Sequence, residues 1–365
     1  MQSASASSDD YRPPAGPTAG AVGNHTTARR TVLRVENLCT YIASDGGVVR
    51  AVDDVSFELY EGEVLGIVGE SGSGKSVSCR TIVGLMPSPP ARMSGAVYYS
   101  AYGDRNLLHL GAGEMQRLRG AHLSMIFQDP MSSLNPVVRI GDQIAEAVGA
   151  HARDSSATQK KARVLELMKL VGIPGGERRL RDYPHQFSGG MRQRVLIAIA
   201  LASHPRILFA DEPTTALDVT IQDQILSLLL SLQRDLGMSV VLVSHDLGVI
   251  AQTCDRVAVM YAGQIVEMGD VGTVLTKPRH PYTAGLLRSL PGDTPSRYLQ
   301  PIGGAPPRLV DIPAGCRFAP RCPLAVDACR SWATELLEVG DDHQVRCWRH
   351  NELHDDRATS DGAPA

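Results

Sequence analysis

The sequence has no uncharged apolar run long enough to span a membrane, which takes about 20 helical residues. Its most apolar stretch, residues 195–202, is followed directly by the polar residues 203–206. The N-terminus also lacks a positive segment followed by an apolar one, which is the pattern of a secretory signal. These absences argue against a membrane-spanning protein. We expect the chain to fold and stay in the cytosol and to meet a membrane only through another protein.

The sequence also lacks a strong excess of either charge. Its formal net charge is −3, which disfavours a nucleic-acid coat or a polybasic membrane anchor. The 365 residues are 43% hydrophobic and 21% charged, the mixture of a globular protein. This length allows one large domain or two to three modest ones, and no internal repeat divides it.

The sequence does contain a phosphate-binding motif: residues 69–76 read GESGSGKS and match G-x-x-x-x-G-K-[ST] at each fixed position. The apolar run 64–68 predicts a buried strand before it, and 75–86 predict a helix after it. In that context the glycines direct backbone N–H groups at phosphate oxygens, and the helix N-terminus adds its dipole. The expected nucleotide-binding residues of this motif are Gly69, Ser71, Gly72, Gly74, Lys75 and Ser76.

Within the motif, Lys75 would supply a charge for the β- and γ-phosphates and Ser76 a hydroxyl for Mg²⁺. The alternative, a glycine-rich turn with a chance lysine, is disfavoured by the flanking strand and helix.

An acidic residue at the end of a neighbouring strand should complete such a site. The predicted strand 206–210 leads into Asp211 and Glu212. Asp211 would hold Mg²⁺ through water, and Glu212 could polarise the attacking water. An acidic cap of the following helix is the alternative, and the two roles are compatible.

A second candidate anion site is the sequence Ser188-Gly189-Gly190, which precedes the predicted helix 191–203. Small residues at a helix N-terminus can bind phosphate by the same physical logic as the first loop. Either the chain binds two ligands, or this site serves a nucleotide held by another subunit. An ordinary capped helix is the alternative.

Strands alternating with helices predict an α/β fold with a mainly parallel sheet. Residues 31–38 and 48–59 read as an antiparallel pair covering the edge of the phosphate-loop strand, and 136–187 read as a helical insertion. Tyr41 is the aromatic residue near this pair that could stack on an adenine ring. A packed surface tyrosine is the alternative.

Seven cysteines fall into two groups. Three of them, scattered among apolar neighbours, read as small core residues: Cys39, Cys79 and Cys254. The other four are spaced C-x₅-C-x₆-C-x₁₇-C: Cys316, Cys322, Cys329 and Cys347. In a reducing compartment this cluster favours a metal over disulfides. Four thiolates can bind zinc or a [4Fe–4S] cluster.

Taken in order, these motifs resemble the ATP-binding subunit of ABC transporters. Besides the phosphate loop and the acidic strand end, the resemblance rests on Gln128 in FQDP, the sequence FSGGM at 187–191, the sequence ALD at 216–218, and His245 in VSHD. It covers roughly residues 31–270 and implies a RecA-like core. The usual L-S-G-G-Q signature is altered here at its outer positions, Phe187 and Met191.

The resemblance implies a role for each motif. Gln128 would contact Mg²⁺ and the attacking water, and His245 would hydrogen-bond the γ-phosphate beside Glu212. Four residues would act on the nucleotide of the opposite subunit or lie at the dimer seam: Ser188, Gly189, Gly190 and Asp218.

The C-terminal part narrows the resemblance to importers of the dipeptide/oligopeptide (peptide/nickel-type) family, through HPYT at 280–283 and GCRFAPRCP at 315–323. It implies an iron–sulfur cluster on the four cysteines, with zinc as the alternative. The implied domains are an ATPase domain at 31–275 and an extension at 276–350 with a metal-binding appendix. Residues 1–29 and 351–365 read as disordered tails.

The implied function is ATP hydrolysis that powers import of di- or oligopeptides. The implied partners are a second, non-identical ATPase subunit, two permease subunits and an extracytoplasmic solute-binding protein, with no nucleic acid. The chain would then lie on the cytoplasmic face of the plasma membrane, held there by the permeases. The alternatives are a soluble ABC-type ATPase acting on nucleic acid or ribosomes, and an importer ATPase for another solute.

Overall fold

A computed structural model describes residues 29–152, 155–215, 217–289, 301–332, 334–340 and 342–353. Nearly all of the two predicted disordered tails lies outside the described residues, and so does Ala216. Within the described ranges, no helix is both long and apolar enough to cross a membrane.

The strands of the described residues form two sheets. They are β1 (Thr31–Ser44), β2 (Gly47–Tyr60), β3 (Val64–Val68), β4 (Ala91–Tyr99), β5 (Leu123–Ile126), β6 (Ile207–Asp211), β7 (Ser239–Ser244), β8 (Arg256–Tyr261), β9 (Gln264–Asp270), β10 (Leu337–Gly340) and β11 (His343–Val345).

The helices of the described residues cover both sheets. They are α1 (Lys75–Ile82), α2 (Ala112–Leu118), α3 (Pro130–Ser133), α4 (Ile140–His151), α5 (Ala157–Leu170), α6 (Gly176–Arg179), α7 (Gly189–Ala200), α8 (Val219–Leu236), α9 (Leu247–Thr253), α10 (Val271–Thr276), α11 (Pro281–Arg288) and α12 (Asp327–Ser331). Short 3₁₀ turns lie at Ser100–Tyr102, Leu107–His109, Pro184–Gln186 and Ala319–Arg321.

The larger sheet has eight strands in the order β10-β11-β9-β8-β3-β7-β6-β5. Its part from β8 to β5 is parallel, as the alternating pattern predicted. Every residue of β3, β6, β7 and β8 is buried, because helices or other layers cover both faces of a parallel sheet. That burial explains the continuous apolar runs in the sequence.

The smaller sheet is antiparallel with the order β2-β1-β4. The sequence predicted the antiparallel pairing of β1 and β2, but its placement on the edge of β3 is wrong. Both edges of β3 are already paired, with β7 and β8, so no ladder is left for another strand. The small sheet instead packs its buried face on the large sheet and α1, as the cluster of Leu33, Val35, Leu65 and Ile82 illustrates.

The predicted helical block contains α4, α5 and α6, and the buried apolar residues of α4 and α5 join the core around α7. The predicted helix 75–86 is shorter, since α1 ends at Ile82 and Gly84 follows with φ +69°. Such a left-handed glycine is a common helix terminator.

The C-terminal region extends the large sheet, because β11 pairs with β9 and β10 pairs with β11. These strands of three or four residues carry too short a pattern to be read from sequence. Among the scattered cysteines, Cys79 and Cys254 are buried as predicted, whereas Cys39 is only partly buried. The thiol of Cys39 lies near polar groups, 3.8 Å from Asp53 Oδ1.

Candidate active site

Four neighbouring strands of the large sheet end at one edge. In the order β3, β7, β6 and β5 they lie side by side and run parallel. Each carries a predicted site residue at or just after its end: Gly69, His245, Asp211 and Gln128 in that order. The carboxyl ends of parallel strands are where ligands bind in open α/β sheets. The topology therefore brings together residues far apart in the sequence.

The phosphate loop needs its glycines for two physical reasons. Gly69, Gly72 and Gly74 have φ of +157°, +77° and +104°, which other residues rarely adopt. A Cβ on Gly69 would come within 2.1 Å of the Met260 carbonyl oxygen, and one on Gly74 within 2.3 Å of that of Ala51. The loop therefore folds tightly against the sheet. Ser71 and Gly72 remain exposed at its tip.

Lys75 opens α1 and is 4% exposed. Its Nζ donates hydrogen bonds to the carbonyl oxygens of Gly69 at 2.8 Å and Glu70 at 3.0 Å. Burial lowers the pKa of this amine, while the carboxylates of Glu212, Asp211 and Glu70 act in the opposite direction. The amine is thus held inside the curve of the loop, where it can exchange its carbonyl partners for phosphate oxygens.

Ser76 and Asp211 form a pair of oxygen ligands suited to a hard cation. The Ser76 hydroxyl donates to Asp211 Oδ1 at 2.6 Å. Asp211 is fully buried, and its Oδ2 has no hydrogen-bond partner among the described residues. Burial raises the pKa of this carboxyl despite the Ser76 hydrogen bond. A buried carboxylate oxygen without a partner is costly, and a nearby Mg²⁺ would satisfy it.

Glu212 is the centre of a hydrogen-bond cluster. Its Oε2 accepts from Gln128 Nε2 at 2.9 Å and from Thr215 Oγ1 at 2.9 Å, and His245 Nδ1 lies 3.2 Å away. The Glu212 backbone has φ +47°, an uncommon conformation for a residue with a side chain. Sequence reasoning found Gln128, Glu212 and His245 but missed Thr215, which lies three residues after Glu212.

The second candidate anion site lies at the start of α7. The Ser188 hydroxyl caps this helix by accepting from the Met191 N–H at 3.4 Å. A Cβ on Gly190 would come within 2.6 Å of Ile221 on α8, so that glycine is also required for helix packing. Ser188, Gly189 and Asp218 are exposed, so another molecule can reach this surface.

Tyr41 is engaged by neighbouring residues. Its hydroxyl donates to Asp53 Oδ1 at 2.5 Å, and the Arg50 guanidinium lies 5.7 Å from the centre of its ring. Burial, reinforced by Asp53, raises the pKa of this phenol. Its stacking on adenine stays a prediction.

The four C-terminal cysteines line one small cavity of about 20 Å³ together with apolar side chains such as Phe318 and Leu324. Burial raises the pKa of the Cys347 thiol to about 12, and the other three thiols add to that shift. Within the described ranges, however, no group of three or more His, Cys, Asp or Glu side chains is arranged to hold a metal ion.

The fold and the strand-end residues define a phosphate-loop α/β nucleotide-binding protein. Residues 52–215 match the family model described as ABC transporter. Residues 266–329 match the model described as the C-terminal region of oligopeptide/dipeptide transporters.

Curated relatives match most of the chain. The dipeptide transport ATP-binding protein DppD of Bacillus subtilis is 50% identical over 330 residues, which are 90% of this chain and 96% of the relative. The oligopeptide transport ATP-binding protein OppD of the same organism is 48% identical, over 87% of this chain and 88% of the relative.

Among solved structures, a dimeric post-hydrolysis state of an ATP-binding cassette bound to ADP and Pi aligns with a TM-score of 0.58 and 29% identity, over 66% of this chain and 98% of that one. An ABC transporter component from Clostridium perfringens aligns with a TM-score of 0.57 and 27% identity, over 68% of this chain and 92% of that one. The chain therefore belongs to the family of ABC transporter ATP-binding proteins that includes the dipeptide and oligopeptide transport members. Its activity is that of an ATPase coupled to transport.

Proposed function

We propose that this chain is the ATPase subunit of an importer of di- or oligopeptides. The observation that carries the ATPase assignment is the convergence of the phosphate loop, Asp211, Glu212 and His245 at the ends of neighbouring parallel strands. The peptide assignment is supported by the relatives named for dipeptide and oligopeptide transport. Those names favour a transporter over the alternative of a soluble ATPase acting on nucleic acid or ribosomes.

The chemistry is in-line attack of water on the γ-phosphate of ATP, with positioning and charge neutralisation providing most of the catalysis. Lys75 and the loop N–H groups bind the phosphates. Glu212 accepts the proton of the attacking water. His245 hydrogen-bonds both the γ-phosphate and the Glu212 carboxylate and so fixes their relative positions. Ser76, Asp211 and Gln128 would hold Mg²⁺, which neutralises the developing charge on the phosphates.

The nucleotide is bound between two subunits. The exposed surface formed by Ser188, Gly189 and Asp218 has the N–H groups and helix dipole needed to close over a γ-phosphate. We assign Ser188, Gly189, Gly190 and Asp218 to the ATP of the opposite subunit. The dimeric ATP-binding cassette that this fold resembles supports such an arrangement.

The complete transporter would contain a second, related ATPase chain, two permease subunits and an extracytoplasmic solute-binding protein. This chain would associate with the cytoplasmic face of the membrane through the permeases. In domain terms, 31–275 would be the ATPase domain, with its helical part at 136–187, and 276–350 the extension.

Reconstitution with the permeases and binding protein tests the function: added di- or oligopeptide should stimulate ATP hydrolysis. Stimulation by an unrelated solute alone would contradict the peptide assignment.

We also propose that Cys316, Cys322, Cys329 and Cys347 hold a [4Fe–4S] cluster with a structural role. Four thiols around one apolar cavity are the donor set of such a cluster. A bound cluster would tie together a segment with few apolar residues. Zinc is the alternative occupant.

Protein purified without oxygen is expected to be brown, to absorb broadly near about 400 nm and to contain about four iron atoms per chain. Metal and sulfide analysis with an absorption spectrum checks this. Cys329→Ser should lose most of the iron, whereas Cys39→Ser, a matched substitution outside the cavity, should retain it. A colourless chain that contains zinc and no sulfide would overturn the iron–sulfur assignment.

A further inference from the structure

The C-terminal segment, residues 276–350, makes direct contacts with the phosphate loop. Arg321 makes a two-pronged ion pair with Glu70, the second residue of the loop: Nη1 lies 2.9 Å from Oε2 and Nη2 lies 3.1 Å from Oε1. The Tyr282 hydroxyl accepts a hydrogen bond from the Glu70 backbone N–H at 3.0 Å. Both the side chain and the peptide group of Glu70 are thus fixed by residues more than 200 positions later.

The two holding residues are themselves rigidly packed. Tyr282 is fully buried, and its ring lies 4.6 Å from that of Tyr261 and 5.5 Å from that of Phe318, centre to centre. The Arg321 side chain is 5% exposed and also donates to the Gly303 carbonyl at 2.9 Å. Because neither side chain can move freely, their geometry is imposed on Glu70.

Glu70 poses an electrostatic problem that Arg321 solves. Its carboxylate stands in the loop that must accept the phosphates of ATP, and like charges at such short range repel. A two-pronged arginine partner neutralises the carboxylate and fixes its orientation. Without Arg321 the loop would carry an unpaired negative charge beside a polyanionic ligand.

The loop also needs support from outside when ATP enters. Lys75 stabilises the loop by donating to the carbonyls of Gly69 and Glu70. When the amine turns to the phosphates, those carbonyls lose its hydrogen bonds. The Tyr282 and Arg321 contacts do not depend on Lys75, so they can keep the loop in shape throughout binding.

The same C-terminal segment is fastened at a second point. Arg317, which follows Cys316, pairs with Asp53 and donates to the Ala262 carbonyl. The Asp53 N–H donates to the Gly263 carbonyl at 2.8 Å, and the Gly263 N–H donates to the Ser73 carbonyl in the loop at 2.8 Å. Two arginines beside cysteines therefore connect this segment to the phosphate loop.

We propose that Arg321 and Tyr282 are positioning residues for ATP binding: they neutralise and orient Glu70, which makes the C-terminal segment part of the nucleotide site. This inference rests on the proposed ATP-binding function. It assigns the segment a role in ATP binding that does not depend on whether its cysteines bind a metal.

The test is a double-mutant cycle on ATP affinity, measured by calorimetric titration of the full chain with ATP and Mg²⁺. Arg321→Ala should weaken binding about tenfold, the effect of losing one charge-assisted pair. Arg321→Lys, which keeps the charge, should recover part of that loss. In the Glu70→Gln background, Arg321→Ala should change the affinity by less than about twofold, because the charge that needed neutralising is gone.

An equal loss from Arg321→Ala in both backgrounds, or no loss in either, would overturn the proposal, since a merely structural arginine would not depend on the Glu70 charge. If thermal denaturation shows that Arg321→Ala is not folded, Tyr282→Phe is used for the test instead. That variant removes one hydroxyl and should weaken binding about threefold, and unchanged affinity would overturn the proposal. Failure of the unmodified chain to bind ATP would instead refute the ATP-binding function on which the proposal rests.

Discussion

Glu212→Gln is expected to lower steady-state ATP hydrolysis by the assembled transporter about 10²- to 10⁴-fold, the usual contribution of a general base. The substitution keeps the shape of the side chain and an oxygen that can accept from Gln128 and Thr215. It removes the negative charge that takes a proton from water. ATP binding should change little, because the phosphates are held by the loop and Lys75. Phosphate release and ATP titration measure the two effects separately.

Two controls make the Glu212 result interpretable. The corresponding glutamate of the partner ATPase must be replaced as well, because its site could sustain turnover alone. Glu114→Gln, which alters an exposed carboxylate paired with Arg105, should leave hydrolysis unchanged. Full turnover in the doubly substituted transporter would refute the catalytic assignment.

The second large effect is expected from Lys75→Ala, which should weaken ATP binding by at least about 10²-fold. The variant removes a buried positive charge that faces the phosphates. It also removes the two hydrogen bonds that the amine donates to the carbonyls of Gly69 and Glu70. Titration with ATP and Mg²⁺ measures the loss.

The matched control for Lys75 is Lys169→Ala, an exposed lysine of α5. That variant should bind ATP as the unmodified chain does. Retention of affinity in Lys75→Ala would mean that the loop binds phosphate through its backbone alone, and it would contradict the role assigned to this amine.

The sequence predicted those parts of the fold that depend on neighbouring residues. The phosphate-loop strand 64–68 was predicted with the bounds that the structure has. Its length and apolar pattern are strong local signals. The approach of Asp211 to Ser76 was predicted from the ends of two strands of one parallel sheet, but the two strands are not adjacent, because β7 lies between β3 and β6.

The sequence could not predict contacts that arise only when distant segments meet. The pair of Arg321 and Glu70 spans 251 positions, and no local periodicity links them. The left-handed conformation of Glu212 and its contact with Thr215 depend on the turn after β6. The wrong placement of the β1–β2 pair has the same cause. A hairpin pattern predicts which two strands pair with each other, but it does not predict the surface on which the pair packs.

The nucleotide-site roles remain predictions whose common premise is a site completed by a second subunit. The most direct test is ATP hydrolysis per chain as a function of chain concentration and of assembly with the partner ATPase and permeases. We predict that the lone chain binds ATP but hydrolyses it slowly at low concentration, and that turnover rises steeply on assembly. Full turnover by a monomer, independent of concentration and partner, would contradict the account.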